Sequence, residues 1–407
     1  MKEKELDFNK YTNQQNSNTF FYKIGIIGPA RVGKTSIIST LLDQAKDALA
    51  QTGVSIKPFE EKDEKGNLMS KTKDKIERTK SAIDSGLKFG EFEPTERATI
   101  SPFIFDLAMT ITRQNQSNEP SKMRFAMLDY PGNLLFDNKK SESQRDKYEK
   151  CKAWIHDSSV IIVPIDSNLV MEVEKKEHYE ASQELLQVRE VEELVRDWAK
   201  ARWEKQESGL LLLVPVKCET YFDDNGGTED KSEELYQEIK EFYEDIINAA
   251  EKEMKEKEQP TSNSATGNSY TLTEMLSMIF GIKSPKKPTY SIEYHPVDTI
   301  GCIELKNAKW EKYQDGKLFL DCEYIIRNPT TSKPKRKPLG ADGIIYSIFQ
   351  QIIENRQSSG IFPRLWDWLG GSNEVLAYAI YKLSQKPRVS RFKQIKKGNV
   401  GEKDKNL

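Results

Sequence analysis

The stretch GPARVGKT, Gly28 to Thr35, constrains the fold of this chain more than any other. It follows an apolar run, Phe20–Ile27, which reads as a buried strand, and opens a helical pattern from Lys34 to about Ala50. The spacing is G-x-x-x-x-G-K-[ST] in a strand–turn–helix setting, where that pattern carries meaning. Glycine at 28 and 33 lets the backbone curl so that its N–H groups converge, and the helix start adds partial positive charge. Such a loop cradles phosphate. The expected contacts are Gly28, Ala30, Arg31, Val32, Gly33, Lys34, Thr35 and Ser36, with the Lys34 ammonium reaching the β- and γ-phosphates and the Thr35 hydroxyl ligating Mg2+. The bland alternative is a glycine-containing turn ahead of an ordinary helix.

A strand–loop–helix unit of this kind belongs in a mainly parallel sheet covered by helices, and the chain alternates accordingly. Strands are expected at Ile100–Thr110, Met123–Leu128, Val160–Ile165, Leu210–Val216 and Tyr290–Val297. Helices are expected around Ser70–Ile83, over Ser182–Lys205, within 230–258, over Asp342–Arg356 and over Glu374–Ser384. Ile303–Trp310 and Leu318–Ile326 flank Asp315-Gly316, a hairpin signal. Residues 259–269 (QPTSNSATGNS) read as a loop. The domain organisation expected is a polar tail at 1–19, one α/β domain at 20–356 with insertions at about 51–95, 223–285 and 302–337, and an extension at 357–407 ending in a basic tail. That tail reads by default as solvated, and Trp366 and Trp368 as part of a packed lid or a docking surface.

Composition excludes little but points one way. With 62 basic and 64 acidic residues the net charge is −2, so no bulk field favours nucleic acid or membrane. No apolar run approaches the roughly 18 residues that span a bilayer, and the N-terminus has no apolar signal-like region. Four unpaired-looking cysteines suit a reducing, cytoplasmic setting. The three histidines show no metal-ligand spacing.

Met123–Leu128 runs into Asp129-Tyr130-Pro131-Gly132. An acidic residue ending a buried strand beside a phosphate loop can hold Mg2+ through water, and a glycine three residues on can offer its N–H to a γ-phosphate. The competing reading is a plain Pro-Gly turn. In that order, strand, GPARVGKT, polar segment, strand and DYPG, the chain resembles the TRAFAC class of P-loop GTPases, most closely the bacterial double-GTPase type. The resemblance covers about residues 20–355. It implies a P-loop NTPase fold with a Ras-like GTPase core, GTP or GDP as ligand, and Mg2+ held by Thr35, Asp129 and a switch threonine. Thr95, in a Pro-Thr pair, ranks ahead of Thr99 for that last role. It further implies a base-recognition element at Val216-Lys217-Cys218-Glu219, where the family carries [NT]-K-x-D, so that Lys217 lies along the base and Glu219 pairs with guanine donors. Thr299, in the turn Val297–Gly301, would offer a backbone contact.

In such proteins catalysis consists of positioning and charge stabilisation, by Lys34, the switch threonine and Gly132. Asn133 stands where Ras-like enzymes carry a glutamine that orients water, which implies slow intrinsic turnover. Arg31 either supplies charge near the β–γ bridge or points to solvent. The expected role is a regulatory GTPase read by a protein partner: another GTPase, an effector or a second copy of this chain. A binding module with little hydrolysis and an ATPase stand as alternatives.

Overall fold

The computed structural model describes residues 19–50, 52–62, 68–89, 101–109, 122–130, 132–136, 142–224, 227–255, 287–326, 336–355, 358, 374–386 and 391–401. Thr95, Thr99, the loop at 259–269 and the tryptophans at 366 and 368 lie outside them.

Eight strands form one mixed sheet. Its centre is five parallel strands, β6 (Lys122–Asp129), β1 (Thr19–Ile26), β7 (Val160–Asp166), β8 (Gly209–Val216) and β9 (Thr289–Tyr294), side by side in that order. β5 (Ser101–Met109) pairs antiparallel with β6, and β2 (Val54–Pro58) antiparallel with β5. The other edge is closed by β12 (Lys393–Asn399), antiparallel to β9. β7 and β8 are buried along their whole length, as unbroken apolar runs covered on both faces must be.

Alternate residues of these strands feed two cores, because successive side chains point to opposite faces. Tyr22, Ile24, Ile162, Leu210 and Leu212 pack with helices α1 (Lys34–Leu49), α10 (Ala341–Glu354) and α11 (Glu374–Ser384). Ile161, Val163, Leu211 and Leu213 pack with α4 (Glu142–Asp157), α7 (Val188–Glu204), α8 (Ser232–Phe242) and α9 (Glu244–Met254). The remaining described helices are α2 (Lys71–Phe89), α3 (Gly132–Phe136), α5 (Ser167–Met171), α6 (Lys176–Leu186) and a 3-10 turn at Glu219–Tyr221. Among the described residues no helix is long and apolar enough to cross a membrane.

Two expectations change. The single helix over Ser182–Lys205 is broken into α6 and α7 at Gln187, whose φ of 51° is left-handed. Leu186, Val188 and Val191 on either side are all buried, so the apolar pattern runs through the break and conceals it. The basic tail is not a free tail over Lys393–Asn399, where it forms strand β12 with its lysine side chains still partly exposed. There Lys393, Lys396 and Lys397 meet Glu233, Glu251 and Glu354, so the strand satisfies the edge of β9 and leaves a charged rim. Two further pairs form separate two-stranded antiparallel sheets, the short β3 (Glu61–Lys62) with β4 (Leu68–Met69), and the hairpin β10 (Ile303–Lys312) with β11 (Leu318–Ile326). The hairpin turn needs the left-handed φ of 83° at Gly316.

Candidate functional site

β1 is the point where the sheet's chain order reverses, since later parallel strands lie on both sides of it. Ligand crevices in open α/β sheets form at that point, beyond the carboxyl ends of the strands. The loop after β1 is the GPARVGKT segment. Arg31 and Gly33 adopt left-handed backbone, with φ of 66° and 97°, and Gly33 caps α1. A non-glycine residue in that region is strained by about 1 kcal/mol or more. Ala30 and Arg31 are exposed, while Val32 and Lys34 are buried.

The Lys34 ammonium donates to the Gly28 carbonyl at 2.9 Å and the Pro29 carbonyl at 2.6 Å, folding the loop around itself. Burial pushes its pKa down to about 8, against the pull of the nearby Asp129 carboxylate. The Thr35 hydroxyl donates to Asp129 Oδ2 at 3.3 Å. The same oxygen accepts from Lys75 Nζ, on α2, at 2.5 Å. Tyr130 is buried and donates its hydroxyl to the Ile26 carbonyl, pinning the residue after Asp129 to the end of β1. Gly132 completes the contact. A Cβ there would lie 2.0 Å from Ala30 N and 2.5 Å from the Pro29 carbonyl carbon.

The base-recognition candidates follow β8. Val216 packs 3.4 Å from where a Cβ on Gly33 would stand, so β8 ends against the GPARVGKT loop. Lys217 has a left-handed φ of 54° and bonds Asp166, the last residue of β7, whose carboxylate also accepts from Asn168 N. Burial lowers the Lys217 pKa, but Asp166 outweighs it and the ammonium is stabilised. Glu219 is buried. Its Oε1 accepts from the N–H groups of Ile300 and Gly301 at 3.1 and 3.2 Å, which ties the turn carrying Thr299 to the end of β8. Its Oε2 is buried without a hydrogen-bond partner. Burial raises the Glu219 pKa, and the backbone N–H groups oppose that rise.

The fold therefore gathers Gly28, Ala30, Lys34, Thr35, Asp129 and Gly132 at one point, and Lys217, Glu219 and Thr299 along the adjoining strand ends. Thr95 lies outside the described residues, so the third oxygen ligand assigned to Mg2+ has no position among them. Thr35 and Asp129 offer a hydroxyl and a carboxylate side by side, a donor pair that suits Mg2+ completed by phosphate and water. Among the described residues no three His, Cys, Asp or Glu side chains gather to hold a metal unaided.

Sequence reasoning did not find Lys75, which reads there as one lysine of a charged helix face. It also missed a buried network under the Thr299 turn. Asp298, fully buried, accepts from Arg391 at 2.7 Å and from the Cys218 thiol at 3.2 Å. Arg391 also reaches Asp224 and stacks over Phe222 at 3.6 Å. No protein-family model matches the chain, and no curated protein matches its sequence.

Proposed function

We propose that this chain is a Mg2+-dependent GTP-binding protein that hydrolyses GTP to GDP and phosphate and serves as a regulatory switch for a protein partner. The observation that carries the reading is the convergence of Lys34, Thr35, Asp129 and Gly132 on one loop at the carboxyl edge of the sheet. The sheet, with its parallel centre β6-β1-β7-β8-β9 and the antiparallel strands β5 and β2 beyond β6, is compatible with a P-loop NTPase-like fold. Lys34 and the loop N–H groups would bind the β- and γ-phosphates, and Thr35 and Asp129 would hold Mg2+. Mg2+ held by them would supply positive charge to offset the negative charge that develops on the phosphates. Gly132, in backbone contact with the loop, is positioned to transmit the state of that loop to the segment after it.

The preference for guanine rests on Glu219. Its Oε2 is a buried acceptor without a donor, which a base would meet once the carboxylate turns toward the site, and guanine presents N1–H and N2–H2 where adenine presents an acceptor. Glu219→Gln keeps an oxygen for Ile300 and Gly301 but puts a donor in place of Oε2. It is expected to cut GTP affinity by about tenfold while leaving ATP affinity unchanged, as read by calorimetry. Tight ATP binding without GTP binding by the unmodified chain would defeat the guanine reading.

Turnover is expected to be slow, because Asn133 is shorter than the glutamine that orients water in Ras-like enzymes. Arg31, exposed at the rim of the loop, is the candidate for extra charge near the β–γ bridge. Arg31→Ala should lower the single-turnover rate more than it lowers GTP affinity. GTP binding with no phosphate release, alone or with a partner, would instead favour a binding module.

A further inference from the structure

Among the described residues of α2, Lys75 is the cation whose side chain enters the phosphate end of the site. The helix is held without it. Ser70 accepts from Lys73 N at 3.1 Å at the helix start and donates to the Phe59 carbonyl at 2.6 Å. Thr72 accepts from Ile104 N on β5 at 3.0 Å, and Lys80 pairs with Asp43 of α1 at 2.5 Å. Lys75 instead passes over the Phe103 ring and ends 2.5 Å from Asp129 Oδ2, the oxygen that also accepts from Thr35. The Asp129 side chain is 3% exposed and that of Lys75 25%, so the carboxylate is sealed and the ammonium sits at its mouth.

A carboxylate this deeply buried is costly without compensating charge, which the nearby Lys34 ammonium supplies only in part. An ammonium at hydrogen-bond distance satisfies it, but the same ammonium repels a divalent cation brought to that oxygen and to Thr35. The two compete for the same carboxylate. A lysine is suited to yielding, since its charge rides on a flexible four-carbon stem.

We infer that Lys75 is a resident counter-ion for Asp129 that withdraws when Mg2+·nucleotide is bound, so that the start of α2 moves with the loading of the site. This rests on the nucleotide reading of the site given above. Lys75 thereby sets how strongly nucleotide affinity depends on Mg2+, and it makes α2 a segment that a partner can read.

The test compares GTP affinity in Mg2+ and in EDTA for the full chain and three variants. Lys75→Met is expected to bind GTP about tenfold tighter in Mg2+, having no ion pair to break, and no tighter in EDTA. Its Mg2+/EDTA ratio therefore rises about tenfold. Lys75→Arg keeps the charge and should keep the unmodified ratio. Lys80→Met loosens α2 without touching Asp129 and should also leave the ratio alone. In the unmodified chain, amide exchange over Lys71–Arg78 should be faster with GTP and Mg2+ than with GTP and EDTA, a readout that needs no variant to fold. Weaker Mg2+·GTP binding by Lys75→Met, an unchanged ratio, or unchanged exchange in the unmodified chain would each overturn the inference. Failure of the unmodified chain to bind GTP or ATP would overturn the nucleotide reading and this inference together; binding with an unchanged ratio overturns only the role of Lys75.

Discussion

Gly132→Ala is expected to reduce GTP turnover by about a hundredfold, the scale of an ångström-sized misplacement in an active site. The atoms that an alanine Cβ would strike are main-chain atoms, Ala30 N at 2.0 Å and the Pro29 carbonyl carbon at 2.5 Å. Neither can rotate aside. The Pro29 carbonyl is moreover held by Lys34, and Tyr130 is held on Ile26, so both sides of the contact are fixed. Relief must come from parting the phosphate loop from the turn, which disturbs the cradle and the position of Asp129 at once. Overpacking of this sort costs about 1–3 kcal/mol of stability, so the variant should remain folded and the loss should show chiefly in single-turnover phosphate release. Gly316→Ala supplies the contrast. Its φ of 83° strains an alanine, yet nothing lies within 4 Å of the added carbon, so it should cost stability only and leave turnover untouched. Equal turnover by Gly132→Ala and the unmodified chain would mean that the turn does not act through the phosphate loop.

What the sequence made legible follows from which forces leave local marks. The apolar runs of β7 and β8 announce strands buried on both faces, and Asp315-Gly316 marks the hairpin turn because few residue pairs tolerate that backbone. The G-x-x-x-x-G-K-[ST] spacing likewise marks a tight loop before a helix, and the loop and helix are there. The edges were harder to read. β12 carries KQIKKGN, whose polarity is that of a tail; it becomes a strand because β9 has main-chain groups to satisfy and three carboxylates nearby for its lysines. The break at Gln187 leaves the apolar period intact and so leaves no trace. Lys75 and Arg391 are further from reach still. Each matters through a buried carboxylate far away in sequence, Asp129 and Asp298, and only the topology of the sheet brings the partners together. Glu219 shows the same limit in reverse: its type and place fit a base contact, but that half of its carboxylate holds the Thr299 turn could not be read from VKCE.

Arg391→Met should destabilise the fold by about 3–5 kcal/mol, the usual cost of leaving one member of a buried ion pair without its partner. The Asp298 side chain is wholly buried and that of Arg391 nearly so, and the guanidinium faces that carboxylate, with the Cys218 thiol as a further donor. Asp224, the second carboxylate on Arg391, is half exposed and contributes little to the sum. Methionine roughly preserves the packing over Phe222, so the loss reports charge more than volume. Asp298→Asn should rescue most of it, because the amide oxygen still accepts from Cys218 and the buried anion is gone. Chemical denaturation of the two single variants and the double variant gives the coupling directly, and additive effects would show that the pair carries no interaction of its own. The consequence reaches the site. Asp298 sits one residue before Thr299, and the N–H groups of Ile300 and Gly301 hold Glu219. Loosening Asp298 therefore frees the Thr299 turn and the Glu219 carboxylate together. Arg391→Met should thus weaken GTP binding with little effect on ATP, although Arg391 belongs to the far C-terminal segment and touches neither Lys217 nor the phosphate loop among the contacts described.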